Sequence, residues 1–123
     1  MKIYIASRYN RRKEMEQVAI GLSARGHEIT STWVYGGEEG LSREDIALLD
    51  YNDVKRAEAV LSFTEPRGSW NPAGARHTEF GLGAAWGLKL YIVGDQEIVF
   101  HHLPNIIQFK NVSEAMEYFE HRL

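Results

Sequence analysis

Residues 74–94 read GARHTEFGLGAAWGLKLYIVG, and this stretch decides the fold class. A helical run from Ala75 to Trp86 meets a glycine and passes straight into an apolar strand, Leu88–Val93, closed by Gly94. So apolar a strand, joined to a helix by a short turn, belongs to a parallel sheet covered on both faces. The same alternation repeats outward from it. Ala59–Phe63 predicts the preceding strand, linked to the helix by the long loop TEPRGSWNPAG at 64–74. Lys2–Ala6 predicts the first strand. Met15, Val18, Ala19 and Leu22 then stripe a helix over Asn10–Arg25, with Gly26 at its stop. Glu28–Val34, rich in β-branched residues, predicts a second strand, and Tyr35–Leu41 a glycine-rich loop. Ser42 with Asp45 forms a capping signature for a helix through Arg56. Asn105–Phe109 predicts a fifth strand, and Val112, Ala115, Met116 and Phe119 stripe a last helix capped by Asn111 and Glu114.

This order predicts an α/β fold: a three-layer sandwich with a flavodoxin-like five-stranded parallel sheet, order 2-1-3-4-5, as one domain over residues 1–123. Fourteen Lys and Arg against seventeen Asp and Glu give a net charge of −3, which disfavours binding to a nucleic-acid polymer. The absence of cysteine excludes disulfides, thiolate zinc sites and a cysteine nucleophile. No apolar run reaches the roughly 18 residues of a membrane span, and the basic MKIYIASRYNRR start is the reverse of a secretory signal. A cytoplasmic protein without membrane contact is the expectation.

In such sheets ligands bind beyond the carboxyl ends of the strands, where strands 1 and 3 diverge. Ser7–Arg12, Thr64–Gly74 and the start of the third helix meet there. Several residues look out of place nearby. At about 100° per residue, Asp50 and Asp53 fall within the apolar stripe of Ile46, Leu49, Val54 and Ala57, where a carboxylate is costly unless paired or chemically used. Glu79 lies near a helix N-terminus, a setting that favours its anion, among small residues that admit a close neighbour. Tyr4, on the central strand, is either a core residue or within reach of Glu79. His77 reads as a base, a ligand contact or a packing residue. His101-His102 lacks a second cluster for a metal and reads as loop. The basic run Arg8, Arg11, Arg12, Lys13 is either an anion site or a solvated helix start, and no Walker loop or GxGxxG supports ATP or NAD.

At Tyr4, Asp50 and Glu79 the chain resembles the nucleoside 2-deoxyribosyltransferase superfamily, including its deoxynucleoside-monophosphate N-glycosidase branch. The resemblance spans nearly the whole chain. It consists of the opening KIYIAS strand, Asp50 eight residues before Glu58 at the head of strand 3, and the 74–94 stretch with its glutamate-glycine helix and glycine-lysine turn. It implies Glu79 as the nucleophile on the anomeric carbon, Tyr4 orienting it, and Asp50 hydrogen-bonding or protonating around the base and sugar. It also implies a small-molecule nucleoside or nucleotide substrate held by Ser7, Arg8, Arg12, Asp53, Ser69, Trp70, Asn71, Gly74 and His77, no cofactor or metal, and a homodimer or larger assembly. Two departures stand out: family members often carry an acid or serine about six positions before the glutamate, where this chain has Ala73, and its loop is longer and brings Trp70 to stack on a base or cover the pocket.

The leading expectation is an enzyme breaking the N-glycosidic bond of a 2′-deoxynucleoside or its 5′-monophosphate, with transfer to another base or to water. Its oxocarbenium-like transition state calls for a carboxylate at the anomeric carbon and an acid near the base. The alternative is a non-catalytic nucleotide-binding or sensor module on the same fold. A receiver-like phosphoacceptor is disfavoured because its acid belongs at a strand end, whereas Asp50 lies within a helix.

Overall fold

The computed structural model describes residues 1–69 and 74–122. Strands β1 (Lys2–Ala6), β2 (Glu28–Ile29), β3 (Ala59–Phe63), β4 (Lys89–Val93) and β5 (Ile106–Phe109) form one parallel sheet in the order β2-β1-β3-β4-β5. Four α-helices surround it: α1 (Arg12–Ala24), α2 (Arg43–Lys55), α3 (Ala75–Ala85) and α4 (Val112–Glu120). The expected fold class and strand order hold. All five residues of β3 are buried, as a central strand covered on both faces requires. Ser42 Oγ accepts from Asp45 N–H (3.1 Å) and Asn111 Oδ1 from Glu114 N–H (3.0 Å), so both expected caps form.

The register sorts the two faces. Tyr4 pairs with Val60 and Val60 with Leu90, so these three side chains stand in one row on one face. Gly83 of α3 rests on that row: a Cβ there would lie 2.6 Å from Val60 Cγ2 and 3.4 Å from Leu90 Cδ2. On the opposite face Tyr91 packs edge-on against Phe119 of α4, ring centroids 5.0 Å apart. Helix α1 packs beside α4, and α2 beside α3.

The second strand is shorter than the expected Glu28–Val34, because side chains replace its ladder bonds. Ile5 N–H donates to Ser31 Oγ, and Trp33 Nε1–H to the Ile5 carbonyl, each at 2.9 Å. Thr32 N–H and Oγ1–H both donate to Asp53 Oδ2, at 3.1 and 2.7 Å, and the chain turns into a 3-10 helix, Thr32–Tyr35. His101-His102, expected as loop, closes another 3-10 helix, Val99–His102, with His101 buried.

Gly83→Ala forces a methyl onto a β-branched side chain that has little room to rotate. We expect it to lower stability by about 1–3 kcal/mol. Val60→Ala should cost less in the Gly83→Ala background than alone. A double-mutant cycle of urea midpoints measures this coupling, and strict additivity would refute the close approach.

Candidate active site

A cavity of about 560 Å³ opens at the carboxyl ends of β1 and β3, a volume within the usual range for small-molecule sites. Ser7, Arg8, Tyr9 and Asn10 line it from the end of β1, Trp33 and Glu38 from the segment after β2, Ile46 and Asp50 from α2, and Ala75, Arg76 and Glu79 from α3. The diverging connections of adjacent parallel strands create such a crevice.

Glu79 lies one helical turn before Gly83, so the contact that seats α3 on the sheet also carries Glu79 to the Tyr4 end of the same row. The Tyr4 hydroxyl donates to Glu79 Oε2. Tyr4 is fully buried, and burial together with the charges of Glu79 and Asp50 raises its phenol well above the ordinary range, so it keeps its proton. Glu79 is the fifth residue of α3, past the first turn, where the macrodipole has faded. The expectation that a helix N-terminus keeps it anionic is corrected accordingly. Burial pushes the Glu79 carboxyl up to about 7, the Tyr4 hydrogen bond holds it down, and the charges of Glu38 and Asp53 raise it further. Asp50 is pushed up to about 9 by burial, by its hydrogen bond with Glu38 and by the charge of Glu79. Two carboxyls on one cavity therefore titrate apart, an arrangement suited to one anion and one acid.

The other expected site residues divide. Ser7 and Arg8 line the cavity, with Ser7 Oγ–H donating to the Arg8 carbonyl (2.9 Å). Two members of the basic run are already paired: Arg8 and Arg11 both bind Glu65, at 3.0 and 2.8 Å, and Arg11 also binds Glu14 at 2.7 Å. Arg12 stands away from the cavity, donating to the Val34 carbonyl at 2.9 Å. Asp53 is buried outside the cavity, where it holds Thr32 and pairs with Arg56 at 3.3 Å. Ser69 and His77 line a separate groove with Glu65, Arg67, Asp95 and Glu97. There His77 Nε2 lies 3.9 Å from Glu97 Oε2, and burial, then the charge of Arg76, lowers its pKa. Gly74 is exposed at the N-cap of α3, and Trp70 and Asn71 lie outside the described residues.

Sequence reasoning passed over Trp33, Glu38 and Arg76. Helical spacing carried the signal for Arg76, since Arg76, Glu79, Phe80 and Gly83 share the inward face of α3. Arg76 is almost fully buried and paired with Glu97 through two bonds, one of them Nη2–H to Oε2 at 2.9 Å. Among the described residues, no group of three or more His, Asp or Glu side chains is placed to hold a metal ion, and no helix is long and apolar enough to cross a membrane.

No protein-family model and no curated protein matches the chain by sequence. Solved structures match it by fold. A CMP N-glycosidase of Clostridium botulinum aligns over 98% of this chain and 98% of its own, with TM-score 0.68 and 19% identity. A 2-deoxyribosyltransferase of Bacillus psychrosaccharolyticus aligns over 96% of this chain and 92% of its own, with TM-score 0.69 and 19% identity. A Leishmania mexicana 2-deoxyribosyltransferase aligns over 99% of each chain, with TM-score 0.76 and 16% identity. At these identities the likeness is one of fold.

The raised Glu79 carboxyl fixes the sign of a stability effect. The folded state binds this proton more tightly than the unfolded chain does, so Glu79 destabilises the fold increasingly as pH rises from about 4.5 through 7. Glu79→Gln keeps an oxygen for Tyr4 and removes the buried charge. It should stabilise the protein by on the order of 2 kcal/mol at pH 8, and the gain should shrink as pH falls towards 5. Thermal melts of both proteins across that range measure it; a gain that does not vary with pH would contradict the burial of the charge.

Proposed function

We propose that the chain belongs to the nucleoside 2-deoxyribosyltransferase superfamily and breaks the N-glycosidic bond of a 2′-deoxynucleoside or its 5′-monophosphate, passing deoxyribose to another base or to water. The observation that carries this reading is that Glu79 of α3 and Asp50 of α2 line one cavity, with Glu79 held from behind by the buried Tyr4 of β1. The fold likeness to a CMP N-glycosidase and two 2-deoxyribosyltransferases supports it.

The chemistry proceeds in two displacements. An oxygen of ionised Glu79 bonds to C1′ as the C1′–N bond breaks, the electron pair leaves with the base, and protonated Asp50 delivers a proton to that base. Water or the nitrogen of a second base then attacks C1′, the Glu79 carboxylate departs, and Asp50 recovers a proton from the attacking group. Tyr4 holds Oε2, which fixes the carboxylate rotamer and leaves Oε1 for the sugar. A 5′-phosphate meets the Ser7–Asn10 segment, where Arg8 supplies charge by exchanging its bond to Glu65. The implied homodimer or larger assembly is part of the same proposal, and exposed Leu48, Tyr51 and Trp86 give α2 and the end of α3 an apolar outer surface for it.

Base release should follow a bell-shaped pH profile. Its acid limb lies near 7, where Glu79 ionises, and its alkaline limb near 9, where Asp50 loses its proton. Glu79→Ala should abolish release while retaining the fold. Tyr4→Phe should slow release by roughly 10- to 100-fold, the worth of one hydrogen bond to a charged group, and move the acid limb to higher pH. A 2′-fluoro analogue should add one sugar mass to the peptide containing Glu79. Full activity in Glu79→Ala would leave the non-catalytic binding module as the better account.

A further inference from the structure

The cavity holds a second carboxyl beside Asp50. Glu38 sits on the loop after the Thr32–Tyr35 turn, between Gly36 and Gly40, whose φ values of +83° and +80° place both in the left-handed region. The Leu41 N–H donates to the Glu38 carbonyl at 3.2 Å and closes this loop, and Glu38 lines the cavity together with Asp50. Glu38 and Asp50 face this cavity together, and Glu38 Oε1 and Asp50 Oδ1 are both buried with no hydrogen-bond partner among the described residues. Among the described residues neither acid has a cationic partner, since the cavity arginines Arg8 and Arg76 are bound to Glu65 and Glu97.

We propose that Glu38 and Asp50 together read the amidine edge of the leaving base, a ring nitrogen beside an exocyclic amino group, and so select cytosine- and adenine-type bases over their oxo counterparts. Sharing one proton, the two carboxyls present one donor and one acceptor to the cavity. The complementary edge offers an acceptor beside a donor: N3 and the N4 amine of cytosine, or N7 and the N6 amine of adenine. The Asp50 hydroxyl donates to the ring nitrogen, and the Glu38 carboxylate accepts from the amine. Once Asp50 transfers its proton, the base becomes an amidinium facing the Glu38 anion, which stabilises it as the glycosidic bond breaks. An oxo base sets a carbonyl against the Glu38 carboxylate. For uracil, matching N3–H and O4 requires the proton to move to Glu38, which leaves an anionic Asp50 facing Glu79 with no proton to deliver; hypoxanthine presents two acceptors, N7 and O6, which no placement of one proton satisfies. Burial, the Glu38 contact and the Glu79 charge all resist that transfer.

This inference rests on the cleavage reading, and matched substrate pairs separate the two. Wild-type protein and Glu38→Gln are incubated with deoxycytidine against deoxyuridine and deoxyadenosine against deoxyinosine, each also as its 5′-monophosphate, and released base is quantified. The amino member of each pair should be cleaved with a kcat/KM roughly 10- to 100-fold higher by the wild type. In Glu38→Gln, whose amide offers either a donor or an acceptor, the ratio should fall to within about threefold. Equal cleavage of both members by the wild type, or an unchanged ratio in the variant, overturns the inference. If no substrate releases base, the cleavage reading fails, and equilibrium dialysis with the same nucleosides decides the recognition: a tenfold preference for the amino members, lost in Glu38→Gln, sustains it, and equal binding refutes it.

Discussion

The structure hinges on the seating of α3 against the sheet at Gly83. A hydrogen in place of a side chain lets the helix settle onto Val60 and Leu90, closer than any residue with a Cβ would allow. Tyr4 continues the same row on the neighbouring strand, so the face that fills the core also carries a phenol towards the strand ends. One turn back along α3, Glu79 meets that phenol. The apolar packing is favourable, and it brings a carboxyl into surroundings that resist its charge. The perturbed acidity of Glu79 is thus a consequence of how the helix packs.

Charge pairing around the cavity keeps that perturbation in place. Glu65 binds Arg8 and Arg11 and gives its own N–H to Glu97 at 2.8 Å, and Glu97 binds Arg76. The guanidinium groups nearest the site are paired with these two acids and, for Arg11, with Glu14 as well, so Asp50 and Glu79 interact with each other and with low-dielectric surroundings. Free cations at the same distance would have drawn the pKa values of Asp50 and Glu79 down. The buried Arg76–Glu97 pair is better understood as a positioning device than as a source of stability, since desolvation offsets most of its attraction. It pins the start of α3 to the segment after β4, next to the residue that lines the cavity.

Much of this was legible in the sequence, where local pattern and tertiary structure agree. Strands β1, β3 and β4 are apolar runs buried on both faces, and Ser42 and Asn111 cap their helices through contacts three residues away. Tyr4, Asp50 and Glu79 drew attention because polar groups in apolar stripes are uncommon. Failures arose where a distant partner decides the outcome. Asp53 shares the stripe of Asp50, but Thr32 and Arg56 engage it, and nothing local announces them. The β2 segment has strand propensity, yet Ser31 and Trp33 side chains take over the bonding of β1. Arg8 turns to the Glu65 carboxylate and Arg12 to the Val34 carbonyl, partners that nothing local announces. His77 and Arg76 are adjacent in sequence but about 100° apart around the helix, which puts one in each groove.

Glu38 escaped for a different reason, and that reason bears on how the site divides its work. A loop has no hydrophobic period, so a residue there is found only by its surroundings. Tyr4, Asp50 and Glu79 stand on a strand and two helices, whose packing fixes their separation, as bond-making chemistry demands. Glu38 hangs from a turn bounded by two left-handed glycines, a segment that admits length and composition changes without disturbing the sheet. The proposed bond-making chemistry thus belongs to the rigid elements, and the proposed base recognition is shared between Asp50 on α2 and Glu38 on a loop facing the same cavity. On this proposal, a change in the loop carboxyl alters which base Asp50 meets, and the geometry beneath the anomeric carbon stays where Gly83 put it.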